Sequence, residues 1–228
     1  MSEIYVMKMA ERLDDSLFFL LQNFISLEKK LRIQNLCNTP HRTGILVGDL
    51  LIQYILCNHL KLERDEIFFG KKRYGKPFVK NKNSVHFNLS HSGKYIFLGL
   101  DHHPIGVDIE KIEERNYLGI AKLYFHIDEY NYLMNLANPK EQKIAFFRLW
   151  VMKESYLKAG GYGFHYPVNT LNVLKEKECH IKNGLGFNDY QFFVKEFIDS
   201  YVAGVYSHKK EKVQLTEIQF NEVVQFFI

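Results

Sequence analysis

Cysteine is scarce in this sequence of 228 residues. Cys37, Cys57 and Cys179 are odd in number, far apart, and form no C-x-x-C pair. That pattern argues against a disulfide framework or a zinc site, and it fits a reducing compartment. Long apolar runs are also missing. The most apolar early stretch, Leu17 to Leu21, falls far short of the roughly 20 residues that cross a bilayer. The opening Met1-Ser2-Glu3-Ile4-Tyr5-Val6 has neither the basic start nor the apolar run of a signal peptide. A soluble cytoplasmic protein is the expectation. Net charge is only +4 and the isoelectric point is near 8.7. This is too little to require a nucleic-acid partner, but it suits an anionic substrate or an acidic protein. Low-complexity segments and short repeats are absent. So are a Walker-type glycine loop, a G-x-G-x-x-G that opens a helix, and a G-x-S-x-G nucleophile elbow.

What is present is a core-building composition. Apolar residues make up 46% of the chain, with 19 Phe and 14 Tyr, enough for one large domain or two small ones. Ile4 to Met7 reads as a first strand, and Asp14 or Asp15 caps a helix through Phe24. Ser26 caps a short basic helix, and Thr43 to Leu60 has the apolar spacing of a buried one. Val85, Phe87 and Leu89 alternate with polar residues, as do Ile105, Val107 and Ile109, and Tyr95 to Leu100 pairs with the first of these strands. After Asn138-Pro139 a long helix runs from about Lys140 to Ala159 and stops at Gly160-Gly161. From about Thr170 the chain reads as strands, with turns at Lys182-Asn183-Gly184 and Ser207-His208. The order repeats in plan on either side of Pro104. The expectation is an α+β fold of two similar halves, 1–104 and 105–228, each a small antiparallel sheet packed with helices.

Four groups of residues can carry chemistry. Asp108 and Glu110 lie two apart on a strand, so they share a face while Ile105, Val107 and Ile109 turn to the core. Paired carboxylates of this kind suit a hard divalent cation such as magnesium; a solvated strand face is the plainer reading. Trp150, Glu154 and Lys158 are spaced four apart, and the stripe Ile144, Phe147, Val151 runs into the last two. An apolar stripe that ends in charge is what a helix entering a polar cleft looks like, and a surface ion pair is the alternative. Ser90-His91-Ser92 closes a strand. Neighbours on a strand point to opposite faces, so Ser90 and His91 do not make a nucleophile–base pair, and phosphate or hydrogen-bond contact fits better. Lys29, Lys30, Arg32, His41, Arg42 and Lys76 form a basic set able to bind phosphate; each alone is also an ordinary surface residue.

Together these segments resemble the 4'-phosphopantetheinyl transferase superfamily, in its larger, pseudo-dimeric surfactin-type branch. The resemblance is carried by His41-Arg42-Thr43, Tyr74-Gly75-Lys76-Pro77, Phe87 to Ser92, Ile105-Gly106-Val107-Asp108-Ile109-Glu110, and Trp150 to Ser155 with Lys158, Gly161 and Gly163. It implies two α+β halves with coenzyme A bound between them. It implies Mg2+ on Asp108, Glu110 and Glu154, with Lys158 on the phosphates and His91 on the pyrophosphate. Lys29, Arg32, Arg42, Lys76 and Ser90 would line the nucleotide end. Glu129 resembles the family's proposed general base, with an ordinary exposed helix glutamate as the alternative. The implied reaction moves phosphopantetheine from coenzyme A to a serine of an apo acyl- or peptidyl-carrier protein. No nucleic-acid or membrane partner is expected, and two halves in one chain imply an active monomer. Two other readings stay open: a non-catalytic nucleic-acid or carrier-binding module, and a carboxylate-based metal nuclease that uses the same three acids. Tyr117 to Tyr132 reads as an aromatic-rich amphipathic helix, either wholly core or a carrier groove around Lys122 and Tyr124.

Overall fold

The computed structural model describes residues 1–10, 13–36, 39–82, 84–175, 189–197, 200–208 and 212–228. Cys37, Cys179 and the expected turn at Lys182-Asn183-Gly184 lie outside these. The first half contains β1 (Ser2–Lys8), α1 (Asp15–Leu21), α2 (Leu27–Gln34), α3 (Thr39–Leu60), β2 (Phe69–Lys71), β3 (Pro77–Val79), β4 (His86–Ser92) and β5 (Tyr95–Asp101). The second contains β6 (Gly106–Lys111), α4 (Tyr117–Tyr124), α5 (Ile127–Met134), α6 (Pro139–Gly160), β7 (Tyr190–Phe197), β8 (Tyr201–His208), β9 (Val213–Ile218) and α7 (Phe220–Phe227). The fold is α+β. β2 and β3 form a separate hairpin.

Local chemistry sets the helix ends. Asp14 accepts from the amides of Ser16 and Leu17 and starts α1, and Ser26 accepts from Lys29 N and starts α2. Asn138 caps α6 ahead of Pro139, and Gly161, at φ +72°, takes the left-handed conformation that ends it.

The larger sheet has the order β4-β5-β1-β9 and the second has β6-β8-β7. They face each other through Ile4 and Phe97 on one side and Ile105, Val107, Ile109, Ala203 and Val205 on the other. Burying each such branched side chain contributes about 1.5–3 kcal/mol. The outer face of the first sheet (Met7, Ile96, Leu98, Leu100) packs with α3 through Leu46, Val47 and Leu50. By length and composition α3 is apolar enough to cross a membrane, yet these residues are the core of the first half. The outer face of the second sheet packs with α6 through Val202 and Tyr206.

Several expectations are corrected here. The division 1–104 and 105–228 does not hold at the C-terminus. β9 pairs in parallel with β1, and Ile218, Val223, Val224 and Phe227 enter the first half's core. Residues 213–228 therefore return to the first half. α7 lies where a strand was expected: its β-branched and aromatic residues suggest a strand, but the spacing of Val223, Val224 and Phe227 is helical. Ser207 and His208 belong to β8, held in register with Gln191 and Tyr190, and not to a turn. The single helix expected over Tyr117 to Tyr132 is two, broken where Phe125 leaves the helical region and His126 caps α5.

Candidate active site

Two glycines let α6 lie against the backbone of the second sheet. A Cβ on Gly106 would sit 1.8 Å from the Ser155 carbonyl oxygen, and one on Gly204 would sit 2.9 Å from that of Val151. Gly106, Asp108 and Glu110 share one face of β6 by the two-residue period, so the close approach that Gly106 permits brings Glu154 and Lys158 over Asp108. The carboxylates share a face, as their spacing predicts. That face meets a helix and not water, and Asp108 is buried at 3% exposure.

The cluster joins both halves. Lys158 Nζ donates to Asp108 Oδ1 at 2.6 Å and to Ser90 Oγ at 3.0 Å, and Ser90 Oγ donates to the same Oδ1 at 2.7 Å. One step along, Ser92 Oγ and Arg115 Nη2 each lie 3.4 Å from Glu110 Oε2. The serines at 90 and 92 on β4 thus match the acids at 108 and 110 on β6, two equal periods side by side. Ser90 and His91 do point apart. His91 packs its ring against the first turns of α3, where a Cβ on Gly44 would be 2.9 Å from Nδ1, and its ring centroid lies 5.2 Å from that of His41.

The electrostatics follow from three acids brought out of water. Burial, then the Asp108 charge, pushes Glu154 up to about 7. The same two causes raise Glu110, against the pull of Arg115 and a hydrogen bond from Trp150. Burial alone would lower Lys158, but Asp108 and Glu154 outweigh it and hold the ammonium above its ordinary value. Burial, with the nearby charges of His41, Lys158 and Arg32, pushes His91 down to about 4, so its imidazole is neutral.

A magnesium ion fits the donor chemistry. All three acids offer oxygen, the kind of ligand that a hard cation takes. Asp108 Oδ2 is buried with no hydrogen-bond partner, an uncommon state for a carboxylate oxygen unless a cation completes it. As they stand, no three acidic, imidazole or thiol groups among the described residues converge closely enough to hold a metal. The cation that these acids now share is the Lys158 ammonium.

Three residues of the expected site have other partners. Lys76 donates to the backbone carbonyls of Ile105 (3.0 Å), Lys158 (2.6 Å) and Ala159 (3.0 Å). Burial, helped by Lys72, pushes its amine down to about 7, whereas the three carbonyls favour the charged form. Its donors reach the end of α6 and the start of β6, so in this structure it ties the halves together. Lys29 is bonded to the buried carboxylate of Asp49. Arg42, on the first turns of α3, lies with its guanidinium 5.1 Å from the centre of the Phe18 ring.

Glu129 departs furthest from expectation. It is neither exposed nor part of the cluster. It is 0% exposed and pairs with Lys153 at 2.8 Å, which is itself 1% exposed. Its other acceptor capacity is taken by His126 N at 2.8 Å and Val173 N at 2.7 Å. A fully buried carboxylate with three donors on it is engaged as part of the fold in this structure. Arg115 and Lys153 are the residues that the sequence reading missed. Lys153 stands inside the Trp150-to-Ser155 segment with no role assigned to it, and Arg115 lies in none of the segments that carry the resemblance, so its neighbours Glu110 and Phe147 are what reveal it.

A profile of the 4'-phosphopantetheinyl transferase superfamily matches residues 104–206, and one of a 4'-phosphopantetheinyl transferase N-terminal region matches 14–102. The 4'-phosphopantetheinyl transferase gsp of Aneurinibacillus migulanus is 36% identical over 177 residues, 78% of this chain and 73% of that protein. Sfp of Bacillus subtilis (strain 168) is 33% identical over 176 residues, 77% of each. The chain belongs to the 4'-phosphopantetheinyl transferase superfamily. It is of the Sfp-like type, and 4'-phosphopantetheinyl transferase psf-1 of Bacillus pumilus is a further relative, 37% identical over 154 residues, 67% of this chain and 65% of that protein. The two open alternatives, a binding module without catalysis and a metal nuclease, give way to a transferase. The two halves of this phosphopantetheinyl transferase meet where β4 and β6 bring Ser90 and Ser92 against Asp108 and Glu110.

Proposed function

We propose that the enzyme transfers 4'-phosphopantetheine from coenzyme A to a serine hydroxyl of an apo acyl- or peptidyl-carrier protein. Asp108, Glu110 and Glu154 would hold Mg2+. The ion would neutralise charge on the diphosphate as the bond to its β-phosphorus breaks. The serine oxygen bonds to that phosphorus as its proton passes to water, and 3',5'-ADP departs with the bridging oxygen. Ser90, Lys158 and the neutral imidazole of His91 orient the diphosphate between the halves. Arg32, Arg42 and, once released from Asp49, Lys29 receive the nucleotide end. Neutral His91 donates a hydrogen bond without adding charge, while Lys158 carries the charge.

The observation that carries this reading is the buried Asp108 with Oδ2 unpartnered, set beside two raised acids and a lysine at the seam of the two halves. The carrier would dock on α4 and α5. Leu123 and Ile127 are 69% and 62% exposed and Tyr124 is 39% exposed, while Ala121 and Phe125 are core. Lys122 on the same helix supplies positive charge toward an acidic partner. The chain acts as a monomer, since both halves of the site are in it.

The test is intact-mass analysis of purified apo-carriers from peptide-synthetase, polyketide and fatty-acid systems, each incubated with enzyme, coenzyme A and Mg2+. At least one should gain a single phosphopantetheine, and none should when chelator replaces Mg2+. If every carrier kept its mass, or if transfer ran unchanged in chelator, the proposal would fail.

A further inference from the structure

We infer that Lys158 is the built-in countercation of the metal site: its ammonium holds Asp108 in the free enzyme, and a divalent ion enters as an anionic phosphate draws that ammonium away. The inference rests on the metal assignment proposed above. Lys158 Nζ bonds Asp108 Oδ1 at 2.6 Å and Ser90 Oγ at 3.0 Å, so it claims one oxygen of the acid most deeply placed in the cluster. The other oxygen of Asp108 is buried and unpartnered. The lysine side chain is 26% exposed and its acid 4%, so Lys158 is the more accessible partner of the pair. Lys158 also lies on the last turn of α6, where its own carbonyl is fixed by Lys76 and only the side chain needs to move. The neighbouring cation, Arg115, is held less closely, at 3.4 Å from Glu110.

A metal ion on Asp108 meets a like charge unless Lys158 leaves. A diphosphate offers Lys158 an alternative partner. Metal and coenzyme A therefore help each other to bind, and by linkage the help is reciprocal.

The test uses Mn2+ alone, counted as free ion by electron paramagnetic resonance, with no coenzyme A. Wild type is compared with Lys158→Met, Lys158→Gln and Arg115→Met, each checked for folding by circular dichroism. Both Lys158 variants should bind Mn2+ about tenfold or more tightly than wild type, and Arg115→Met should gain less. Unchanged or weaker binding in the Lys158 variants, or an equal gain in Arg115→Met, would overturn the inference. A second measurement needs only wild type. Acetic anhydride labelling of Lys158, read by peptide mass, should quicken when Mn2+ saturates the protein; an unaltered rate at saturation would also overturn it. If no protein bound Mn2+ even with coenzyme A, the metal assignment itself would fall, a result distinct from equal binding by all four.

Discussion

Replacing Glu129 by Gln separates a structural carboxylate from a catalytic one. The pair Glu129–Lys153 spans 2.8 Å with both side chains at 1% exposure or less. Lys153 also donates to the carbonyls of Val168 (3.1 Å) and Leu171. Glu129 holds the amides of His126 and Val173. One pair thus pins α5, α6 and the segment leading to Val173. Glutamine keeps one acceptor oxygen for Val173 N but turns an NH2 group toward both His126 N and the ammonium, and it removes the countercharge. Breaking a buried pair by removing one partner costs about 3–5 kcal/mol. At roughly 2–4 °C per kcal/mol for a chain of this size, Tm should fall by about 6–20 °C. Thermal unfolding followed by circular dichroism measures this. Carrier phosphopantetheinylation, assayed well below the lowered Tm, should stay within a few-fold of wild type. A Glu129→Gln protein as stable as wild type but nearly inactive would refute the reasoning and restore Glu129 as the base.

The remaining predictions concern the cluster, the strut and the carrier. In metal-free enzyme Glu154 is held near 7 by burial and Asp108, so the folded state takes up a proton that the unfolded chain, with its lower pKa, does not. Stability from this source is present below the unfolded carboxyl pKa and is lost as pH rises through about 7. The difference in Tm between wild type and Glu154→Gln should shift against wild type from pH 5 to about 8 in chelator, and a flat difference would contradict the raised value. Lys76→Met leaves three carbonyls without their donor, and on the order of 2–4 kcal/mol of stability should be lost. If Lys76 instead served phosphate, Tm would hold and KM for coenzyme A would rise alone. Lys122→Ala and Tyr124→Ala should raise KM for carrier and leave KM for coenzyme A unchanged, and unaltered carrier kinetics in both would place docking elsewhere.

What the sequence could convey follows from the range of the interactions. Strand and helix periods are local, so the shared face of Asp108 and Glu110 and the ladder Trp150, Glu154, Lys158 are readable from spacing. The cap at Ser26 and the stop at Gly161 are equally local. Long-range contacts leave no such trace. Lys76 has the look of a turn lysine until the end of α6 arrives 82 residues later. Glu129 has the look of an exposed helix acid until Lys153 and Val173 close over it. The return of β9 to β1 joins strands from opposite ends of the chain, and no local pattern announces that pairing. That α6 covers the face of β6 that carries the acids is not legible either, because the sequence does not say that Gly106 and Gly204 admit a helix there.

The central claim is that the Asp108 cluster performs the transfer. Its most direct test is the intact mass of one accepted apo-carrier after incubation with coenzyme A, Mg2+ and either wild type or Asp108→Asn, with both proteins shown to be folded. The substitution keeps the shape of the side chain and its contact with Ser90 while removing the charge that Lys158 and the ion require. Wild type should convert the carrier fully to the phosphopantetheinylated mass while Asp108→Asn leaves nearly all of it apo; equal conversion by the two proteins would contradict the account.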